Sequence, residues 1–390
     1  MKLLKLTFDG LPHFKDILDI DFVAKQRVGE EDKEQLCNVF SNVYVNKAIS
    51  FIGINASGKT TILRAISFAI KMLNNESINN IKSKEILVGL ENDKRLIITS
   101  YFSDDSSLYK LETFIKKEIN SIDGNEKFII FNELLWSKDF GRVKTKKGLF
   151  DFQDSDLLEQ RNQNERYLME DISIIAAVNK KNEDTFYVQD MLEWTDHNML
   201  NVLGRFPKEL LNFLDSGIER LEGSVDGKNV DIRLKFYGKE EMVLNNIITL
   251  ENYLSSGTIK GLGVFMSALF VFCEGGYLVI DEIENHFNRE IVATLIRFFL
   301  NPKVNKKGAV LLFSTHYSEL LDEFERNDSI YIVRNREGIH AQNLSDILKR
   351  NDIKKSDVYN SDYLGGTVPA YDAYMKLKKV LTGANVMEEL

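Results

Sequence analysis

Apolar and polar positions alternate differently in different parts of the chain, and each pattern predicts a different kind of structure. Residues 1–25 contain two short alternating segments that predict a pair of strands, and residues 94–132 predict a meander of further strands. Between about 151 and 222 the sequence becomes more polar, and its clearest segments, 165–180 and 184–203, predict helices. We therefore expect strands followed by helices in the middle of the chain.

The second half of the chain alternates between short apolar runs and amphipathic segments. Together with the segment around residue 50, it predicts strands over 48–52, 232–237, 277–280, 309–313 and 329–333 and helices over 60–73, 259–273 and 288–300. Strands separated by helices are typical of an α/β fold with a mixed, mostly parallel sheet flanked by helices. The simplest arrangement is one sheet whose sequence is interrupted by an insertion at about 75–225.

These patterns divide the chain into three parts. We expect residues 1–75 and 226–340 to form the α/β head, residues 76–225 an insertion of strands and then a helical lid, and residues 341–390 a tail packed on the head. No apolar run reaches the roughly 20 residues of a membrane span, and the charged N-terminus is unlike a signal peptide. Cys37 and Cys273 form no metal-ligand spacing, and we expect Cys273 in the core. The chain is therefore predicted to be cytoplasmic.

The charge balance limits the partners that the surface can attract. A net charge of −9 and a pI of about 5.3 argue against a surface that coats nucleic acid indiscriminately. A local basic groove is still compatible with that balance. The densest basic cluster is Arg142–Lys147, which we interpret as a solvated loop or, alternatively, as a phosphate contact.

One segment fits the phosphate-binding loop G-x-x-x-x-G-K-[ST] in full, between a predicted strand and a predicted helix. Its glycines allow the backbone to wrap a phosphate, and the helix N-terminus adds its positive dipole end. Lys59 is expected to reach the β- and γ-phosphates of ATP, and the Thr60 hydroxyl is expected to ligate Mg²⁺. The predicted nucleotide-binding residues here are Gly53, Asn55, Ala56, Ser57, Gly58, Lys59, Thr60 and Thr61.

Two further motifs follow predicted strands of the same sheet. The apolar strand 277–280 runs into Asp281 and Glu282, which suggests a metal-supporting carboxylate followed by a general base. His316 comes directly after the strand 309–313, where a side chain points into the crevice at the carboxyl ends of parallel strands. We expect it to contact the γ-phosphate, so that Glu282, His316 and Lys59 form the catalytic set.

A second phosphate receptor is predicted just before the helix 259–273. Ser255, Ser256 and Gly257 form a small polar turn at that helix N-terminus, which is either a plain N-cap or an anion site. One nucleotide does not need two receptors. The economical solution is a two-fold dimer in which each receptor completes the partner's site.

These four motifs, in this order, resemble the ABC ATPase superfamily, in the branch of RecF, the structural-maintenance-of-chromosomes heads and the overcoming-lysogenization-defect ATPases. The resemblance rests on Phe14-Lys15, on Leu254 to Thr258 and on Asp281 to Asn285. Within the branch, Ser173 to Ala177 through Trp194 and the tail Tyr363 to Pro369 resemble compact stand-alone ATPases of bacterial phage-defence operons.

The sequence also departs from that family. The magnesium-binding Gln of the family cannot be placed within 94–132, and Asn285 to Asn288 replaces the Ser-Ala-Leu-Asp of transporter ATPases. Overcoming-lysogenization-defect proteins carry a nuclease after the ATPase. Only 74 residues follow His316 here, without an Asp-x-Asp cluster, so we expect no nuclease in this chain.

The resemblance implies Mg²⁺-dependent ATP hydrolysis by a homodimer, or by an oligomer of dimers, and leaves the biological role open. The first hypothesis is a sensor that regulates a separate effector protein, encoded nearby, in antiviral defence. The alternative is a repair or chromosome-type ATPase acting directly on DNA. A transporter ATPase fits least, because the signature Leu-Ser-Ser-Gly-Thr departs from Leu-Ser-Gly-Gly-Gln and the insertion is larger.

Overall fold

The fold is α/β, and a computed structural model of the chain describes residues 1–119, 126–161, 169–176, 185–192, 204–226, 229–285, 287–368 and 371–382. The strands of the first half are β1 (Lys2–Asp9), β2 (Leu18–Asp21), β3 (Leu36–Phe40), β4 (Val43–Asn46), β5 (Ala48–Ile52), β6 (Arg95–Ser103), β7 (Ser107–Ile119), β8 (Glu126–Asp139), β9 (Leu157–Gln160) and β10 (Val188–Asp190). The later strands are β11 (Gly204–Arg205), β12 (Ile218–Asp226), β13 (Asn229–Phe236), β14 (Met242–Leu244), β15 (Tyr277–Ile280), β16 (Val310–Thr315), β17 (Ile330–Asn335) and β18 (Ile339–Asn343). The α-helices are α1 (Lys59–Leu73), α2 (Lys208–Leu214), α3 (Ser256–Glu274), α4 (Arg289–Leu300), α5 (Leu344–Ile347), α6 (Lys355–Asn360) and α7 (Tyr371–Thr382).

A six-stranded sheet in the order β10-β15-β16-β5-β17-β18 forms the centre of the molecule. Its pairs are parallel except for the edge strand β18, which runs antiparallel to β17. Side chains alternate between the two faces of a strand, so Ile49 and Phe51 of β5 pack with α1, whereas Ala48 and Ile52 pack with α3 and α4. The strands and helices predicted around this sheet are confirmed, with shifts of a few residues at their ends.

A second six-stranded sheet, in the order β2-β1-β6-β7-β8-β9, is antiparallel throughout. β1 pairs with β6 along its whole length, so the N-terminal strands and the predicted meander belong to one sheet. β10 adds a strand from the predicted insertion to the parallel sheet. Strand pairing therefore crosses the predicted boundary at residue 76. Local periodicity could not predict this, because pairing between distant segments leaves no mark in it.

The helices predicted over 165–180 and 184–203 are wrong for much of what the structure describes. Residues 169–174 form turns, and a helix begins only at Ile175 and Ala176. Residues 188–190 form β10 beside Tyr277–Val279. Tertiary pairing there overrides a weak local helical preference. The other residues of those two segments lie outside the described part, apart from 185–187 and 191–192, which are not helical.

A third sheet, β11-β12-β13-β14, packs against α2 and the first half of α3. Leu262 of α3 belongs to this small core, whereas Phe265 and Ala268 belong to the core beneath the parallel sheet. Gly261 lets α2 approach closely, since a Cβ there would lie 2.7 Å from the Leu214 side chain. α3 thus belongs to two hydrophobic cores of the protein at once.

Buried polar contacts join the two large sheets. The Leu3 amide donates to the Tyr277 hydroxyl and the Asp21 amide to the Tyr331 hydroxyl, each at 2.7 Å. Burial raises the pKa of both phenols, which remain neutral acceptors. The Lys2 ammonium donates to the carbonyl of Gly275 at 2.8 Å. These bonds attach β1 and β2 to the start of β15 and to β17 of the parallel sheet.

α3 exposes part of its apolar surface to solvent. Cys273 is exposed, because its side chain lies on the solvent face of α3, so the prediction that it belongs to the core is wrong. α3 is the one described helix that is long and apolar enough to cross a membrane, with mean hydropathy 1.5 and 44% of its apolar window buried in the protein. A core helix passes the same test. In the tail, α6 packs on the head through Tyr359, whereas α7 has no buried residue.

Candidate functional site

The phosphate-binding loop joins β5 to α1 at the carboxyl edge of the parallel sheet. Ala56 and Gly58 have positive φ values of 59° and 101°, which turn the loop back on itself. Glycine is required at 58, because a Cβ there would lie 2.6 Å from the Ile339 side chain. The Ser57 hydroxyl is buried without a partner among the described residues. An orphan hydroxyl and the unpaired amides of a helix N-terminus suit an anion.

Lys59 occupies the centre of this loop and is only 5% exposed. Its ammonium donates to the carbonyls of Gly53 at 2.9 Å and Ile54 at 3.2 Å. Burial lowers the pKa of Lys59, and the carboxylates around it act in the opposite direction. The Lys59 ammonium therefore binds carbonyls of its own loop, and a bound phosphate would have to replace those carbonyls as hydrogen-bond acceptors.

Asp281 follows β15 and lies beside the first turn of α1. Its Oδ2 accepts a hydrogen bond from the Thr60 hydroxyl at 2.6 Å, and its Oδ1 accepts one from the Ser314 hydroxyl. This places a carboxylate and a hydroxyl together at the predicted metal position. Mg²⁺ commonly takes one or two protein oxygens and completes its shell with water and phosphate oxygens, so this pair fits the ion. Among the described residues, no group of three or more His, Cys, Asp or Glu forms a metal cluster.

Glu282 and His316 lie on adjacent strand ends. The Glu282 amide donates to the Ser314 hydroxyl at 2.7 Å, and Glu282 has a positive φ of 43°. His316 lies between the two other predicted catalytic groups, with Nε2 3.6 Å from Glu282 Oε1 and Nδ1 3.4 Å from Lys59 Nζ. The backbone amide of His316 donates to the buried carboxylate of Glu284 at 2.5 Å. The structure therefore brings the predicted catalytic set together.

A cavity of about 630 Å³ opens above the loop. Of the predicted residues, its lining contains Asn55, Ala56, Ser57, Gly58, Lys59, Thr60, Thr61, Glu282 and His316. Gly53 and Asp281 support it from behind through Lys59 and Thr60.

The cavity wall also contains residues that sequence reasoning missed, namely His13, Asn335, Gly338 and Ile339. The Ile339 amide donates to the His13 carbonyl at 2.8 Å, which joins the turn after β1 to the β17–β18 hairpin. Phe14-Lys15 in the first turn contributed to the family resemblance, but no motif singled out His13 or Ile339. Ser314, Glu284 and Asn285 were likewise not assigned, although they lie inside or beside the recognised motifs.

The second predicted receptor lies elsewhere. Ser255 is the N-cap of α3, with its hydroxyl accepting from the Thr258 amide at 3.0 Å. Ser255, Ser256 and Gly257 are absent from the lining of the cavity. Within one chain, the N-terminus of α3 therefore does not reach the nucleotide pocket that the same chain forms.

The basic cluster at 142–147 is partly used by the fold. Arg142 forms an ion pair with Asp156, and the Lys146 ammonium donates to the Ala24 carbonyl at 2.8 Å. Burial lowers the pKa of Lys146. Lys144 and Lys147 are exposed. The cluster is thus largely a structural loop.

Comparison with known proteins supports the assignment from geometry. No curated protein matches the chain. Ala177, Trp194 and Pro369, which contributed to the resemblance to defence ATPases, lie outside the described residues. Residues 49–322 match the family model described as "AAA domain, putative AbiEii toxin, Type IV TA system", and this range contains the phosphate-binding loop, α3, Asp281, Glu282 and His316. The chain belongs to this family of P-loop ATPase domains.

Proposed function

We propose that this chain is an Mg²⁺-dependent ATPase of the RecF-like ABC branch that closes as a face-to-face dimer around ATP and regulates a separate effector protein in antiviral defence. The observation that carries the ATPase assignment is the hydrogen-bonded set at the floor of the cavity. There Thr60, Asp281 and Ser314 are joined directly, and the Glu282 amide binds the same Ser314 hydroxyl. A plain glycine turn has no need of this arrangement.

The residues divide the work of phosphoryl transfer to water. Lys59 and the amides of the loop bind the β- and γ-phosphates, and His316 contacts the γ-phosphate from the neighbouring strand. Glu282 accepts the proton of the attacking water while the oxygen attacks phosphorus and the bond to the ADP oxygen breaks. Mg²⁺, held by Thr60 and supported by Asp281, would neutralise charge on the phosphate oxygens. The base and ribose then lie towards the wall containing His13 and Ile339.

The position of α3 supports the proposed dimer. Its N-terminus carries Ser256 and Gly257 but lies outside the cavity of its own chain. An isologous two-fold arrangement would place each α3 N-terminus against the partner's γ-phosphate. Two composite sites would then form at once, and ATP would be the ligand that holds the interface together.

Mixing two variants tests the composite site. Glu282→Gln should bind ATP and accumulate as a dimer, because removing a general base typically costs about 10²–10⁴-fold in rate. Gly257→Asp should keep ATP binding but block hydrolysis, since its carboxylate would face the partner's γ-phosphate. A dimer of Gly257→Asp with Lys59→Ala keeps at most one complete site. A protein that is monomeric by light scattering and still hydrolyses ATP at the full rate would refute the dimer.

The regulatory role rests on what the described residues contain. Each catalytic group that we can assign belongs to the nucleotide site, so hydrolysis must act by changing a shape that another molecule reads. The description of the matched family names a "putative AbiEii toxin", so toxicity of the chain alone is the rival outcome to a separate effector. Expressing the chain alone and together with its genetic neighbour tests this. Toxicity or nuclease activity of the chain alone would contradict a separate effector.

A direct role on DNA is the second candidate, and the exposed Lys144 and Lys147 are the observation that favours it. DNA binding should then fall with salt and weaken in the Lys144→Ala/Lys147→Ala variant. Arg142 pairs with Asp156 and Lys146 binds the Ala24 carbonyl, so few positive charges of this cluster remain for binding DNA. Tight, ATP-dependent DNA binding that requires these two lysines would replace the effector model.

A further inference from the structure

We propose that Asn285 positions the general base and that Lys260 links this base to α3, the helix that carries the second phosphate receptor. The proposal rests on the function proposed above, in which Glu282 activates water and α3 binds the partner's nucleotide. It adds a connection inside one chain between the site that hydrolyses ATP and the helix that completes the other site.

The two oxygens of the Glu282 carboxylate have different surroundings. Oε2 accepts a hydrogen bond from the Asn285 side-chain amide at 2.5 Å, whereas Oε1 lies 3.6 Å from His316 Nε2. His316 lines the cavity, so Oε1 faces the place that the γ-phosphate would occupy. Asn285 therefore holds one oxygen and leaves the other turned towards the attacking water. A base oriented by a third group is a recurring arrangement in hydrolytic sites.

Asn285 is itself held by α3. Its carbonyl accepts a hydrogen bond from the Lys260 ammonium at 3.0 Å, and the same ammonium lies 5.4 Å from the centre of the Phe287 ring. The Asn285 amide donates to the Glu282 carbonyl at 2.9 Å and closes a tight turn behind the base. The Lys260 side chain therefore connects α3 to this turn through a hydrogen bond with a charged donor and through a contact with an aromatic ring.

Lys260 is one helical turn from the receptor. Residues four apart lie on the same side of a helix and about 6 Å apart along its axis, so Ser256 and Lys260 move together. α3 is one continuous helix whose residues pack in two cores. When its N-terminus engages the partner's nucleotide, any displacement reaches Asn285 through Lys260 and changes the direction of Glu282. Each protomer's base thereby responds to the state of the partner's site.

The test uses ATP hydrolysis by the full-length protein and a double-mutant cycle. Asn285→Ala, together with the isosteric Asn285→Asp, should lower kcat by about 10- to 100-fold, as expected when a reacting group is misplaced by about 1 Å. The Kd for ATP should stay within about twofold, because Asn285 does not line the cavity. In the Glu282→Gln background, adding Asn285→Ala should cause no further loss of kcat, because its effect passes through the missing carboxylate.

Asn288→Ala is the matched control. Asn288 lies in the same segment, but its side chain caps α4 by accepting from the Glu290 amide, so its loss should disturb the segment without lowering kcat. Lys260→Met, which keeps the apolar stem, should lower kcat in the wild-type background and have no effect when Asn285 is already Ala.

The outcomes separate the two proposals. Near-normal turnover in Glu282→Gln would show that Glu282 is not the general base and would contradict the proposed function. An inactive Glu282→Gln with a normal Asn285→Asp would remove only the positioning role. Additive losses in the Glu282→Gln background, or an equal loss in Asn288→Ala, would show that Asn285 only supports the local fold. A normal Lys260→Met would remove the link to α3.

Discussion

Replacing Lys59 by Met tests the nucleotide site most directly. Methionine keeps much of the length and the apolar stem of lysine but removes the ammonium group. In the structure, that ammonium donates to two loop carbonyls, those of Gly53 and Ile54. ATP binding would exchange both bonds for bonds to phosphate oxygens, so the change in affinity reflects only the difference between the two sets.

That difference can be worked out from the two bonds. A hydrogen bond with a charged partner is worth about 1.5–3 kcal/mol, roughly twice a neutral one, and the ammonium is charged in both sets, so the exchange adds mainly its attraction to the phosphate charge. At an effective dielectric constant of about 20, two unit charges about 4–5 Å apart attract by about 3–4 kcal/mol. Since about 1.4 kcal/mol corresponds to a tenfold change, we expect Lys59→Met to raise the Kd for ATP by about a hundredfold or more.

Titration with a fluorescent ATP analogue at fixed Mg²⁺ measures this Kd, and thermal unfolding supplies a second readout. Without ATP the variant should still unfold cooperatively, and it should lose the stabilisation that ATP gives. Lys47→Met is the matched control. Lys47 is 3% exposed and donates to the Glu34 carbonyl at 2.7 Å. It does not line the cavity. A folded Lys59→Met protein with wild-type affinity would refute the phosphate-loop assignment.

Three other predictions follow from buried contacts. Tyr277→Phe should lower the free energy of unfolding by about 1–3 kcal/mol in urea denaturation, because the Leu3 amide loses its acceptor; an unchanged value would mean that water replaces the hydroxyl. Ser314→Ala should lower kcat by at least tenfold in a phosphate-release assay, because Asp281 loses a donor, and an unchanged kcat would separate Ser314 from the metal site. His13→Ala should raise the Kd for ATP several-fold, with a smaller effect on the Kd for inorganic triphosphate, if stacking on the base contributes about 1 kcal/mol. Equal effects on the two ligands would place the base elsewhere.

Much of the site could be predicted because its chemistry is local in sequence. The loop Gly53–Thr60 needs consecutive residues with particular backbone freedom, and Gly58 indeed has a φ that other residues avoid. Asp281 and Glu282 follow β15, His316 follows β16, and parallel strands bring their carboxyl ends to one edge. These neighbours along the chain had to become neighbours in space once the strands were recognised.

Local patterns were weaker guides in the middle of the chain. Residues 188–190 appeared helical by composition, yet they pair with Tyr277–Val279 as the edge of the parallel sheet. Cys273 follows an apolar run that predicted burial, yet one face of α3 remains open to solvent. In both cases the outcome depends on what packs against the segment, and that partner is distant in sequence.

Short windows of sequence were enough to predict the phosphate loop, the strands and helices on either side of it, and the candidate site residues Lys59, Asp281, Glu282 and His316. Those features depend on backbone conformation and hydrophobic periodicity within short windows. Three contacts become apparent only in the folded chain: β1 pairs with β6, His13 meets Ile339 at the cavity wall, and Lys260 holds Asn285 beside Glu282. These contacts join segments that are distant in sequence, and whether such segments meet depends on the packing of the whole chain.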